Sequence, residues 1–271
     1  MMLDISNNPL TALGYFLEKF PTTVKNLTME NVGLNFLSTE SLKNLTTLNF
    51  NSNNFEILCS SFCYGNVLFL KNVDELETLL VANNSIRTIE TDAFKDLQKL
   101  IHLDISNNSL REIPHGVFEH LHSLSYLDIS ENYLGKIPNI STLSNLDTLK
   151  LDNMKNGLVL ADPRDMPAMP RIRLMSLRGN SIKHVPENFL SKFQGIEEID
   201  LSNNKLIALN PGLWPKNLKK INLSHNQIAK IEDLQLDHAT SLEVLDLENN
   251  NIRGMNVSAV QLLPRSVFLK M

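Results

Sequence analysis

The sequence predicts an α/β-type repeat solenoid, a parallel β-sheet of about eleven short strands backed by a mostly irregular or short-helical return side. Three observations carry this expectation. The pattern L-x-x-L-x-L-x-x-N-x-L recurs eleven times along 271 residues. A register of Asn8, Val32, Asn53, Asn84, Asn108, Asn132, Met154, Asn180, Asn204, Asn226 and Asn250 holds asparagine at nine of eleven positions. A bulky residue then returns ten positions later, as Phe94, Phe118, Leu190, Trp214, Leu236 and Val260. Spacings of this kind mean that each unit buries its apolar face only by stacking on its neighbours.

Each part of a unit has a physical reason. In Leu124-Ser125-Tyr126-Leu127-Asp128-Ile129-Ser130, Leu127 and Ile129 alternate with polar neighbours, as a half-buried strand requires. The asparagine that follows has two amide donors and an acceptor, enough to satisfy backbone groups where the chain leaves the strand. Pro114 and Pro138 come six residues after it, and Leu97, Leu121, Phe193 and Leu263 thirteen after it, as an apolar return row. Units of 31 residues (Asn53 to Asn84) and 26 residues (Met154 to Asn180) depart from the usual 21 to 24.

These motifs resemble leucine-rich repeat proteins over essentially the whole chain. Stretches such as LREIPHGVFEHLHSL are similar to the animal extracellular subfamily with 24-residue repeats, the Toll-like receptor and matrix type. The resemblance implies a curved horseshoe with its sheet on the concave face. It also implies a buried ladder of Asn53, Asn84, Asn108, Asn132, Asn180, Asn204, Asn226 and Asn250 between successive repeats, and residues 1–271 forming a single recognition domain of about eleven repeats.

Composition narrows the function. With 42% hydrophobic and 20% charged residues there is ample material for a core. A net charge of −5 gives no basic footprint for nucleic acid. No run of about 18 apolar residues is present, so no membrane span or membrane contact is expected in this segment. The first residues show no basic and apolar leader pattern, so no signal peptide is expected within them. Leu3 and Ile5 already occupy strand positions, and Met271 falls inside a twelfth unit, with no cap at either end. The expectation is a piece of a longer protein, with rows such as Leu10 and Leu13 left uncovered. Cys59 and Cys63 are either a local disulfide or two thiols, with Cys63 buried at the bulky-residue position and Cys59 pointing outward. Seven N-x-S/T sequons, at Asn26, Asn44, Asn83, Asn107, Asn139, Asn222 and Asn256, are candidate N-glycosylation sites if the chain is secreted.

Binding residues are sought where strand side chains alternate out of the core. Successive strands offer Thr78 and Leu80, His102 and Asp104, Tyr126 and Asp128, Thr148 and Lys150, Leu174 and Ser176. Strands lie about 4.8 Å apart, which sets His102 beside Tyr126 and Lys150 beside Asp128. Leu80, His102, Tyr126, Lys150, Leu174, Arg173 and Arg178 are the candidate ligand-binding residues, aromatic and arginine anchors amid polar neighbours. The basic Arg171, Arg173 and Arg178, acidic Glu197, Glu198 and Asp200, and basic Lys219 and Lys220 form a banding that can instead pair strand to strand. Residues 155–171, with Pro163, Pro167 and Pro170, are either a protruding loop that contacts partners or an insertion on the return side.

Chemistry has no motif to rest on. No nucleophile elbow, phosphate-binding glycine loop or His-Glu-x-x-His is present, and no metal or cofactor is expected. His115, His120 and His122 do not share one face and are read as solvated. The reading is therefore a non-enzymatic module that binds a protein or other macromolecular ligand, extracellular or at the cell surface. The alternative is a cytoplasmic repeat scaffold.

Overall fold

Three residues per strand suffice when every strand is paired on both sides and its middle side chain is buried. The computed structural model describes residues 1–10, 20–61, 63–166, 169, 171–209, 212, 214–236, 239–254, 261, 263 and 267–271. Leu13, Val260, Asn256, Pro167 and Pro170 lie outside them. The chain divides into two compact units, Met1–Tyr133 with Pro138–Leu146, and Leu134–Ile137 with Asp147–Met271.

The strands of the first unit are β1 (Met2–Asp4), β2 (Asn26–Thr28), β3 (Leu37–Ser38), β4 (Thr47–Asn49), β5 (Ile57–Cys59), β6 (Val67–Phe69), β7 (Thr78–Leu80), β8 (Thr88–Ile89), β9 (His102–Asp104) and β10 (Tyr126–Asp128). Its larger sheet runs β1-β2-β4-β7-β9-β10, every pair parallel and in register. The second unit pairs β11 (Thr148–Lys150), β12 (Leu174–Ser176), β13 (Glu198–Asp200), β14 (Lys220–Asn222), β15 (Val244–Asp246) and β16 (Phe268–Lys270) in chain order, again all parallel. Parallel pairing follows because each unit goes out, turns and returns in the same sense. The strand β16 lies beyond the eleven asparagine positions. In the inner strands the middle residue is buried and its neighbours stand outward: Leu27, Leu48, Leu79, Leu103, Leu127, Leu149, Met175, Ile199 and Leu245 are fully buried. Each contributes about 1.5–3 kcal/mol relative to leaving it in water.

The asparagine register is a hydrogen-bonded ladder. Asn108 Nδ2 donates to Val81 O of the preceding unit at 3.0 Å, and to Ile105 O and Ser106 O at 3.1 Å, while its Oδ1 accepts from Ile86 N at 2.9 Å. Asn132 repeats this on Ile105 O, Ile129 O and Ser130 O, and accepts from Leu110 N. Asn53, Asn204 and Asn226 make the same set of bonds and are buried. Asn84 and Asn250 keep the bonds while half-buried, and Asn180 bonds Leu151 O and Met154 N. One amide can close a turn and tie it to the unit before it.

The residue just before each register position explains the asparagine doublets. Asn7, Asn31, Ser52, Asn83, Asn107, Glu131, Asn153, Gly179, Asn203, His225 and Asn249 all have φ between 47° and 70°. Asparagine tolerates this left-handed region better than other side chains. At Gly179 a Cβ would meet Asn153 Oδ1, so a larger residue there would require the Asn153 side chain to move. Replacing exposed Asn203 with valine is expected to destabilise the protein by about 1–2 kcal/mol, whereas Asn203→Gly should change little. Urea melts of both variants check this, and equal stability would contradict it.

The return side packs as the sequence suggests. Phe94 and Phe118 are buried with ring planes 2° apart and centroids at 6.4 Å. Leu97, Leu121, Leu190, Phe193 and Leu236 are buried with them, and short 3-10 turns occur at Leu190–Lys192 and Ile231–Leu234. Trp214 is buried and donates Nε1–H to Gln235 O at 2.7 Å. The described residues of 155–171 do not form a free loop. Leu158, Leu160, Met166, Met169 and Ile172 are buried, Pro163–Asp165 forms a 3-10 turn capped by Asp162, and Met169 N donates to Lys192 O at 2.7 Å. Pro163 is buried at the start of that turn.

A second sheet of four parallel strands, β3-β6-β5-β8, is absent from the sequence expectation. It uses the extra length of the 31-residue unit, whose two apolar runs Ile57-Leu58-Cys59 and Val67-Leu68-Phe69 become neighbouring strands. This corrects the cysteine placement. Cys59 is buried at the end of a strand paired on both sides, while Cys63 is only half-buried, the reverse of the expectation. Counting ten residues from Asn53 assumed a 24-residue unit, and here those residues belong to the added sheet. The two cysteine sulfurs are placed next to each other.

Candidate functional site: the outward face of the strands

In the first unit the outward positions make one continuous patch. In-register pairing sets His102 between Thr78 and Tyr126, and Asp104 between Leu80 and Asp128. The rings of His102 and Tyr126 stack at 4.1 Å with planes 15° apart, as the strand spacing requires. Tyr126 donates its hydroxyl to Asp128 Oδ2 at 3.4 Å. Leu80, His102 and Tyr126 are each half-buried, so their faces are open but held. Ile101, just ahead of β9, adds an apolar edge that is 44% exposed. The strand motif did not reveal it, because its position lies one residue before the alternating segment.

The carboxylates that recur at the third strand position have a structural duty. Oδ1 of Asp104, Asp128, Asp200 and Asp246 accepts the N–H two residues on, at 2.9, 3.0, 2.8 and 3.0 Å. Asn49 and Asn222 fill the same position with the same bond at 3.0 Å. A side-chain oxygen that starts a turn is what the register selects, which asparagine supplies without the charge.

In the second unit Lys150 and Leu174 stand half-buried at their outward positions. Ser176 is buried and donates its hydroxyl to Asp152 at 2.6 Å, so it offers little to a ligand. Arg173 sits ahead of β12 and pairs strand to strand, with Glu197 at 2.9 Å and Asp147 at 3.7 Å. Lys219 joins Glu197 from the next strand at 2.9 Å, and Lys220 pairs with Glu198 at 3.4 Å. Arg178 is exposed, and its backbone N–H is held by Asp152 Oδ1. Hydrogen bonds from Arg173, then Lys219, hold the Glu197 carboxyl down to about 2.

Because Glu197 is depressed in the folded chain, its favourable contribution is present above the ordinary carboxylate range and is lost as pH falls toward about 2. Solvent screening keeps the effect small. Arg173→Met is expected to raise the Glu197 pKa toward the ordinary range, read by carboxyl NMR titration. An unchanged value would show that Lys219 alone sets it.

His115, His120 and His122 are exposed on the return side, away from this patch. Among the described residues no helix is long and apolar enough to cross a membrane.

Known proteins share this architecture. The leucine rich repeat family matches residues 74–134 and 216–271. Human leucine-rich repeats and immunoglobulin-like domains protein 3 is 31% identical over 116 residues, 42% of this chain and 10% of that protein. Mouse Toll-like receptor 9 is 30% identical over 113 residues, 41% of this chain and 11% of the receptor. The chain thus spans only about a tenth of these two relatives. A solved structure of the Drosophila Toll–Spätzle complex superposes with a TM-score of 0.74 at 22% identity, over 92% of this chain and 33% of that one. Repeat pattern, asparagine ladder and these matches make the chain similar to leucine-rich repeat proteins of the animal receptor and matrix type.

Proposed function

We propose that residues 1–271 act as a non-enzymatic protein-recognition module outside the cell, binding a protein partner through the outward faces of the strands. The observation that carries this reading is the continuous patch of Leu80, His102, Tyr126 and the exposed Ile101. A stacked aromatic pair immobilised on strands presents a large contact area with little rotamer freedom to lose on binding. In the second unit the candidate positions are Lys150, Leu174 and Arg178, and Arg173 takes part in the band it shares with Glu197. The likeness to a Toll structure solved with Spätzle supports a protein ligand, and the likeness to receptors such as Toll-like receptor 9 supports an extracellular setting.

The test screens the immobilised chain against an array of secreted and cell-surface ectodomains. Binders are then re-measured on His102→Ala/Tyr126→Ala and on the return-side variant His120→Ala. Loss of more than about tenfold in the strand-face double variant only, as expected for central aromatic anchors, supports the reading. Binding that survives it and fails in His120→Ala would move the site to the return side. Surface staining of unpermeabilised cells tests the location, and purely intracellular signal would favour a cytoplasmic scaffold.

A further inference from the structure

Three of the seven sequons are by-products of the repeat. Asn83 and Asn107 are left-handed turn residues followed by ladder asparagines, which generates Asn-Asn-Ser in both units. Asn107 is half-buried and donates Nδ2 to Asn83 Oδ1 at 2.6 Å, so a sugar there competes with that bond. Asn222 is the turn-starting residue of its strand, and Ser224, which completes the sequon, is buried. Asn26 points outward from β2 and accepts from Thr46 Oγ1 at 3.1 Å. That hydroxyl belongs to the Asn44 sequon and also reaches Lys25 O at 3.3 Å. Asn44 is itself exposed but left-handed, with φ of 70°.

Asn139 differs from all of these. No repeat position requires asparagine there. It is exposed on the return segment, between buried Pro138 and buried Ile140, and Ser141 and Thr142 beside it are also exposed. Its Oδ1 accepts both the N–H of Ser141 at 3.1 Å and the Ser141 hydroxyl at 2.8 Å. Both bonds fall on the oxygen side of the amide, and no repeat-stacking bond uses the nitrogen.

We infer that Asn139 is the favoured N-glycan acceptor among the described sequons, an inference that rests on the extracellular reading. In the transfer, Asn139 Nδ2 attacks the anomeric carbon of a lipid diphosphate-linked oligosaccharide. The new C–N bond forms, the C–O bond to the diphosphate breaks, the lipid diphosphate leaves with the electron pair, and Nδ2 loses one proton. A glycan at this place covers return-side surface and leaves the patch of His102 and Tyr126 uncovered.

The test expresses the full 271-residue chain behind a secretion leader in animal cells. Glycans are removed with an amidase that converts each occupied asparagine to aspartate in heavy-oxygen water, and peptides are weighed. Asn139 should be occupied in most molecules, with Asn107 and Asn222 mostly bare. Asn139→Gln and Ser141→Ala should each remove one glycan step on a gel, and Asn139→Gln should leave the melting temperature unchanged. A bare Asn139, or equal occupancy at Asn107 and Asn222, would overturn the inference. The leader sends the chain through the secretory route whatever its native location, so failure here is distinct from failure of the extracellular reading, which staining reports.

Discussion

Asn132→Leu is expected to destabilise the protein by about 3 kcal/mol, since each buried polar group left unpaired costs roughly 1–3 kcal/mol. The amide of Asn132 is fully buried, donates to Ile105 O, Ile129 O and Ser130 O, and accepts from Leu110 N. Leucine fills a similar volume but answers none of these groups. The loss falls on two units at once, because Ile105 and Leu110 belong to the unit before. Asn145→Ala is the control, since Asn145 is exposed and its amide donates to His122 O at the surface. Urea unfolding should show a large drop in midpoint for the first variant and little for the second. A change below about 0.5 kcal/mol in Asn132→Leu would mean that the ladder is ornamental to stability.

Phe94→Ala is expected to cost about 3–5 kcal/mol, the usual range for emptying a buried aromatic site. Phe94 is fully buried and lies parallel to Phe118 of the following unit. The cavity would open between stacked units, and each unit has only its neighbours to lean on. Hydrogen exchange should therefore quicken first around β7 to β10, while the second unit keeps its protection. Uniform loss of protection along the whole chain would show that the units unfold together. Phe94→Leu, which retains most of the volume, should recover much of the stability.

Much of this was legible from residues taken in order. Alternation around Leu127 placed the strand, and the 24-residue spacing from Asn84 to Asn108 to Asn132 placed the ladder. His102 and Tyr126 could be set side by side because parallel strands in register put equal positions at one spacing. The four-stranded sheet was not legible. Its runs at Ile57-Leu58-Cys59 and Val67-Leu68-Phe69 read as irregular return segment, since short apolar runs do not declare their partners. The same blindness reversed the burial of Cys59 and Cys63.

The sequence by itself determined the repeat, the parallel strands and the outward rows, because a periodic chain that buries one face per unit has few other ways to stack. Which outward residues remain open to a ligand was decided only in three dimensions. Arg173 reads as an anchor until Glu197 and Asp147 are beside it, and the turn-starting role of the outward Asp104 and Asp128 is seen only with their N–H partners. Ser176 and Leu174 differ in openness although both alternate outward. Periodicity specifies direction along one chain, whereas hydrogen bonding and ion pairing depend on distances between units that no single repeat contains.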